Sequence, residues 1–171
     1  MEFTFTLKYQ LPTNDTDTDA LIEKLAEEGC DDALVGVGQP GRLGLEFVRE
    51  SATAREAVES ALADVRRAVP EARLIEATPD LVGLTDVAEV MGVTRQNMRK
   101  LVINYPNFPT PVHEGSSAIW HLAEVLSWME GRGAYQVPRV TLDVARVAMH
   151  VNIKKENDRV ANDPSIHAMA Y

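Results

Sequence analysis

Residues 3–10, FTFTLKYQ, alternate apolar and polar side chains with a period of two, the pattern of a strand with one buried face. A polar loop from Thr13 to Asp19 follows, in which Thr18 or Asp19 could cap the next helix. That helix, Ala20 to Glu28, carries Leu21, Ile22 and Leu25 on one side and stops at Gly29. Ala33–Val37 and Leu43–Arg49 read as two strands joined through Gly38-Gln39-Pro40-Gly41, with Pro40-Gly41 as the reversal. Thr53 to Ala68 repeats apolar residues at helical spacing (Ala54, Ala57, Val58, Ala61, Leu62, Val65), and Arg73–Ala77 is a last strand. The order β-α-β-β-α-β predicts a ferredoxin-like domain over residues 1–78.

After Thr78-Pro79-Asp80 the pattern changes to short helices and turns, which places a second domain at 79–135. Thr85–Met91 and Thr94–Ile103 are amphipathic helices meeting at Gly92, with Ala88 and a buried Val93 expected at the tight turn. Tyr105–Pro111 holds three prolines and cannot be helical. Val112–Glu114 and Ala118–Trp120 flank Gly115-Ser116-Ser117 as a small hairpin, and His121–Glu130 is a third helix. Residues 136–171 form a C-terminal segment, with a helix from about Thr141 to Lys155 and then a weakly periodic tail that could hold a short helix. The fold class expected is therefore α+β.

Composition is that of an ordinary globular chain, with 45% apolar and 25% charged residues. No apolar run reaches the roughly 20 residues of a membrane helix, and Met1–Thr4 lacks the features of a signal peptide, so a cytoplasmic protein is expected. Cys30 is the single cysteine and is expected to be a half-buried free thiol. The net charge of −9 is unevenly spread: residues 1–78 hold 8 basic and 16 acidic residues, 79–135 hold 4 and 6, and 136–171 hold 5 and 4. The acidity thus sits in the first domain, where scattered acids are expected to form a solvated surface. The second domain lacks the broad basic field that drives strong nonspecific binding to nucleic acid.

The chemistry concentrates in the second helix of that domain. Met98, Leu101 and Val102 fall on one side; Gln96, Arg99 and Lys100 fall on the other, with Arg95 one turn before Arg99 and Thr94 at the N-cap position. Arginine and amide donors at a helix N-terminus are what a recognition helix offers to base edges in the major groove. The candidate DNA-binding residues are Thr94, Arg95, Gln96, Asn97, Arg99 and Lys100, with His113, Ser116 and Ser117 on the hairpin.

Residues 82–133 resemble the AlpA-type DNA-binding domains of prophage regulators and excisionases, within the wider MerR-like winged helix-turn-helix group. The resemblance rests on the two-helix unit, Phe108-Pro109-Thr110-Pro111, the wing glycine Gly115, Trp120, and Trp128 within the following helix. It implies a small transcriptional regulator or recombination-directionality factor that binds double-stranded DNA. Wings of this family often carry basic residues, whereas this one reads His113-Glu114-Gly115-Ser116-Ser117, with a carboxylate that repels phosphate. Trp120 and Trp128 are expected in the small core.

Two motifs fail on context. Gly36-Val37-Gly38-Gln39-Pro40-Gly41 matches a dinucleotide fingerprint by letter, but a strand-like segment follows where a helix is needed. Asp15, Asp17 and Asp19 imitate a calcium loop that then lacks its glycine and its final glutamate. His113, His121, His150 and His167 share no ligand spacing with one another or with Cys30. No catalytic arrangement, metal site or cofactor motif is present, and the chain is not expected to be an enzyme. The C-terminal helix presents Leu142, Ala145, Val147, Ala148, Val151 and Ile153, too wide an apolar surface for a free helix, so it packs on its own chain or on a partner; of the two, a homodimer through this segment is preferred. The function expected is a sequence-specific DNA-binding transcriptional regulator. The alternative is an antitoxin or phage-type adaptor whose acidic domain binds a protein partner and whose DNA binding is autoregulatory. A third reading, a small-molecule sensor, has no binding fingerprint behind it.

Overall fold

The computed structural model describes residues 1–14 and 16–166. Asp15 of the aspartate-rich loop, His167 and the end of the tail lie outside the described residues. Among the described residues the chain is mixed α+β, with six helices and two antiparallel sheets.

Strands β1 (Glu2–Gln10), β2 (Ala33–Gly36), β3 (Arg42–Glu50) and β4 (Arg73–Thr78) form the larger sheet in the order β2-β3-β1-β4. β1 is central and pairs with β3 from Glu2 opposite Glu50 to Gln10 opposite Arg42. Its alternation puts Phe3, Phe5, Leu7 and Tyr9 on one face, beside Leu43, Leu45 and Phe47 of β3, all buried. Helices α1 (Thr18–Glu27) and α2 (Ala54–Ala68) cover that face with Leu21, Leu25, Ala57, Val58, Ala61 and Val65. The β2–β3 connection is a hairpin turn, as expected: the Arg42 amide donates to the Gln39 carbonyl at 3.0 Å, and Gly41 takes a φ of 76° after Pro40. Proline then glycine at the two central positions is the signature of a type II turn. Helix α1 begins earlier than its apolar spacing indicates, so its cap is Asp17 rather than Thr18 or Asp19; the Asp17 carboxylate accepts from the Ala20 amide at 3.2 Å.

Two of the acids expected on a solvated surface are instead half-buried against an arginine. The Arg49 guanidinium, on the covered face of β3, donates to Asp32 at 2.7 and 2.9 Å, to Asp64 at 2.8 Å, to Ser60 Oγ at 3.0 Å and to the Gly29 carbonyl at 2.8 Å. All five guanidinium donors of an arginine lie in one plane, and this fork ties the α1–β2 loop, β3 and α2 together. Cys30 lies beside this network and is buried rather than half-buried, at 2% exposure.

The second sheet is built from β5 (Leu81–Val82), β6 (His113–Glu114) and β7 (Ala118–His121), in the order β5-β7-β6. β5 is absent from the sequence-based expectation because two residues carry no periodicity; its register, Leu81 opposite His121 and Val82 opposite Trp120, exists only after β7 is in place. Three helices complete this part: α3 (Leu84–Met91), α4 (Arg95–Asn104) and α5 (Leu122–Arg132). His121 ends β7 instead of opening α5.

Helix α6 (Arg139–Ala161) is longer at both ends than the expected Thr141–Lys155, so the start of the weakly periodic tail is helical. Polar residues from Glu156 onward, held by i,i+3 and i,i+4 ion pairs (Arg159–Glu156, Lys154–Asp158), hide the helix from a hydrophobic pattern. The two sides of α6 enter two different cores. Leu142 and Ala145 pack with Trp120, Leu122, Leu126 and Met129; Val144 and Ala148 pack with the side chains under the larger sheet. The apolar surface on which the homodimer expectation rested is therefore covered by the chain itself: Leu142, Ala145 and Ala148 are buried, Val147 and Val151 are half-buried, and only Ile153 of that set is exposed. No helix among the described residues is long and apolar enough to cross a membrane.

α6 also closes the outer edge of β4. Asn152, buried, accepts from the Ala77 amide at 2.8 Å and donates to the Ala77 carbonyl at 2.8 Å, as a neighbouring strand would. Its amide also donates to Asp80 at 2.7 Å, and the Lys155 ammonium donates to the Ile75 carbonyl. Asp80 has no exposed surface; its second carboxylate oxygen lies 2.6 Å from His121 Nδ1, and its carbonyl accepts from the Leu122 amide at the start of α5. Edge-strand groups left open would recruit other chains, and here side chains of α6 occupy them.

Two predictions follow from this packing. Asn152→Ala leaves the Ala77 amide and carbonyl and one Asp80 oxygen without partners in a buried place, and should lower the unfolding free energy by about 2–4 kcal/mol, read from urea denaturation; a loss near zero would show that water replaces the amide. Burial, aided by the nearby Asp64 carboxylate, pushes the Cys30 thiol from its ordinary 9.0 up to about 11. The folded chain thus holds the thiol proton more tightly than the unfolded chain. Stability should fall as pH rises from about 9 to about 11 by about 2–3 kcal/mol, with a smaller fall in Cys30→Ala. At pH 8 a thiol reagent should react far more slowly with the folded chain than in urea.

Candidate nucleic-acid interface

The candidate residues are positioned by the α3–turn–α4 unit. α3 starts at Gly83, whose amide donates to the Asp86 carboxylate at 2.9 Å. It ends at Gly92 with a φ of 65°, and the Val93 amide reaches back to the Ala88 carbonyl at 3.0 Å. A left-handed residue at this point turns the chain sharply, and glycine adopts it without a Cβ penalty. Val93 is half-buried rather than buried. Thr94 then caps α4 as expected: its hydroxyl accepts from the Asn97 amide at 3.1 Å. Val87 and Ala88 of α3 and Met98 and Leu101 of α4 close the contact between the helices, and Val102 is half-buried beside them.

The opposite face of α4 is open. Arg95, Gln96, Arg99 and Lys100 are exposed together, and no hydrogen bond or ion pair occupies their side chains among the described residues. Most other basic side chains of this acidic chain are engaged: Lys8, Arg49, Arg55, Arg67, Arg139, Arg146, Lys154, Lys155 and Arg159 all have carboxylate partners. Three unpaired cations on one short helix therefore stand out. Asn97 is half-buried at the flank of this face.

One residue was missed from sequence. Ile103 is 67% exposed and lies four residues after Arg99 and seven after Gln96, hence on the same face. An apolar group among donors suits the methyl of thymine in a major groove. The spacing signal was available, but an isoleucine at a helix end reads as core until the backbone direction is known.

His113, Ser116 and Ser117 are exposed on the β6–β7 hairpin. A Cβ on Gly115 would stand 2.6 Å from His113 Nε2, so the imidazole lies over the glycine and any larger residue would displace it. Glu114 is exposed beside His113. No hydrogen bond or ion pair joins this hairpin tip to α4 among the described residues; the two elements are related through the core beneath them. That core is aromatic. Phe108 meets Trp120 and Trp128 edge-on, with ring centroids 6.1 and 4.9 Å apart, and Trp120 Nε1 donates to the Pro109 carbonyl at 2.9 Å. Trp120 is buried; Trp128 is half-buried, with the Arg132 guanidinium 4.9 Å from its ring and 3.8 Å from the ring of Tyr105.

The arrangement makes separable predictions about stability. Gly92→Ala should cost about 1 kcal/mol although nothing lies within 4 Å of the added methyl, because the cost is the left-handed backbone alone. Thr94→Ala should cost about 1 kcal/mol through the lost cap. Arg95→Ala/Arg99→Ala should leave the unfolding free energy from urea denaturation within about 0.5 kcal/mol of the parent, because neither side chain bonds to the rest of the chain.

In comparisons with protein-family models, curated proteins and solved structures, nothing matches this chain.

Proposed function

We propose that the chain is a sequence-specific DNA-binding regulator that reads the major groove with α4. The observation that carries this reading is the face of Arg95, Gln96, Arg99 and Lys100: exposed, free of intramolecular partners, and mounted on a helix whose other side is buried. Free arginine and amide donors break no bond within the chain when they turn toward guanine and adenine edges. We read residues 79–135 as a winged helix-turn-helix; the support is the α3–Gly92–α4 unit followed by the β6–β7 hairpin and α5. We read residues 1–78 as ferredoxin-like, supported by the element order and the strand order β2-β3-β1-β4. Two copies on a pseudo-palindromic site would supply the specificity that one short helix lacks, with the contact between copies lying outside Leu142, Ala145 and Ala148.

A second reading assigns the acidic domain to a protein partner. It is favoured by the outer face of the larger sheet, where Leu34 is 74% and Val48 47% exposed beside Glu46 and Glu50. In that reading Leu34→Asp/Val48→Asp abolishes a stable complex with the partner and leaves DNA affinity unchanged.

The test of the main reading is a gel-shift series on the DNA upstream of the chain's own gene at several salt concentrations. With three cations per recognition helix, the logarithm of affinity should fall with log salt at a slope of about −3 per copy. Arg99→Ala should weaken binding by about 1–3 kcal/mol and relax preference at one or two base pairs. Unchanged affinity and preference in Arg95→Ala/Arg99→Ala would remove α4 from the mechanism, and a slope near about −10 would place the binding on another basic surface.

A further inference from the structure

On the far side of the larger sheet from its open face, α2 and the second half of α6 leave a groove of about 720 Å3, floored by β1 and β4. Its lining holds five cationic side chains, Arg66, Arg73, Lys154, Lys155 and Arg159, against two carboxylates, Glu59 and Asp158. That excess is opposite in sign to the chain, whose net charge is −9. Lys154 pairs with Asp158, and Lys155 and Arg159 share Glu156. Arg66 and Arg73 make no ion pair and no hydrogen bond among the described residues, although they belong to the acidic half of the molecule.

A second observation comes from the floor. Tyr9 is 5% exposed and lines the groove, and its hydroxyl has no hydrogen-bond partner. No fully enclosed side-chain polar atom of the described residues lacks a partner, so this hydroxyl must open onto the groove. Buried tyrosines ordinarily find a partner for the O–H. Around it Leu62, Leu74 and Val151 are half-buried and give the groove apolar walls.

We propose that this groove binds a small amphipathic anion, with its carboxylate, sulfonate or phosphate head held by Arg66, Arg73 and the Tyr9 hydroxyl and its apolar body lying on Leu62, Leu74 and Val151. Unpaired guanidinium groups bind such heads with two N–H donors each, and an apolar wall next to them selects against bare ions. The backbone of a duplex is a poorer fit. It would have to bring phosphate down to a hydroxyl recessed between two helices and past Glu59 and Asp158. The site is built from α2, β1, β4 and α6 and shares no residue with α4, so it does not depend on the DNA reading.

The test uses the full chain and two fluorescent probes, the anionic anilinonaphthalene sulfonate and its uncharged analogue phenylnaphthylamine. The sulfonate should bind one molecule per chain, more tightly than the uncharged probe. Arg66→Ala/Arg73→Ala should weaken the sulfonate by at least about tenfold and leave the uncharged probe unchanged. Tyr9→Phe, which keeps the ring packing, should weaken the sulfonate by about threefold without altering the urea midpoint. Equal affinity for the two probes, or sulfonate binding unaffected by both variants, overturns the proposal. Stoichiometric displacement of the sulfonate by a short mixed-sequence duplex, lost in Arg66→Ala/Arg73→Ala, would make the groove a DNA-backbone surface and overturn it equally.

Discussion

The contact between α6 and the outer edge of β4 ties the molecule together. Asn152 mimics a strand partner for Ala77 and at the same time donates to Asp80, whose carboxylate meets His121 and whose carbonyl receives the first amide of α5. These groups are buried or nearly so, and each would be costly to leave unpaired. The same helix sends Val144 and Ala148 into one core and Leu142 and Ala145 into the other. Neither core is complete without α6, so the segment that most resembled a free interaction surface is an internal wall.

The acidic half of the chain is organised by a cation. Arg49 gathers Asp32, Asp64, Ser60 and the Gly29 carbonyl in a place with little water, where a guanidinium without its carboxylates would be strongly destabilising. Burial and the Asp64 charge then raise the Cys30 thiol beside it, which makes that cysteine a packed, protonated group. Local charge pairing thus decides behaviour that the net charge of the domain does not describe.

A chain with net charge −9 is an unpromising polyanion binder by its total, yet binding depends on which cations are free. Carboxylates of the chain itself occupy most of them. The unpaired ones include Arg95, Arg99 and Lys100 on the open side of α4, and Arg66 and Arg73 at the groove. The first set lies on the open face of a helix beside an exposed Ile103; the second lines a groove walled by apolar side chains.

Much of this was legible in the chain alone. Period-two alternation over residues 3–10 located β1 and its buried face, because a strand hides every second side chain wherever it lies. Thr94 and Gly92 marked helix ends, because capping acts within a few residues. The donors on α4 were placed on one face by helical spacing. What the sequence could not determine depends on partners distant along the chain. β5 exists only against β7, and Asn152 finds its role only when Ala77, seventy-five residues earlier, lies beside it. Asp32 and Asp64 look like surface charge until Arg49 is folded between them. The apolar faces of α6 demanded a cover, and local pattern carries no information on whether that cover is a second molecule or the same one. Only the tertiary packing decided it, because burial depends on what else is within reach.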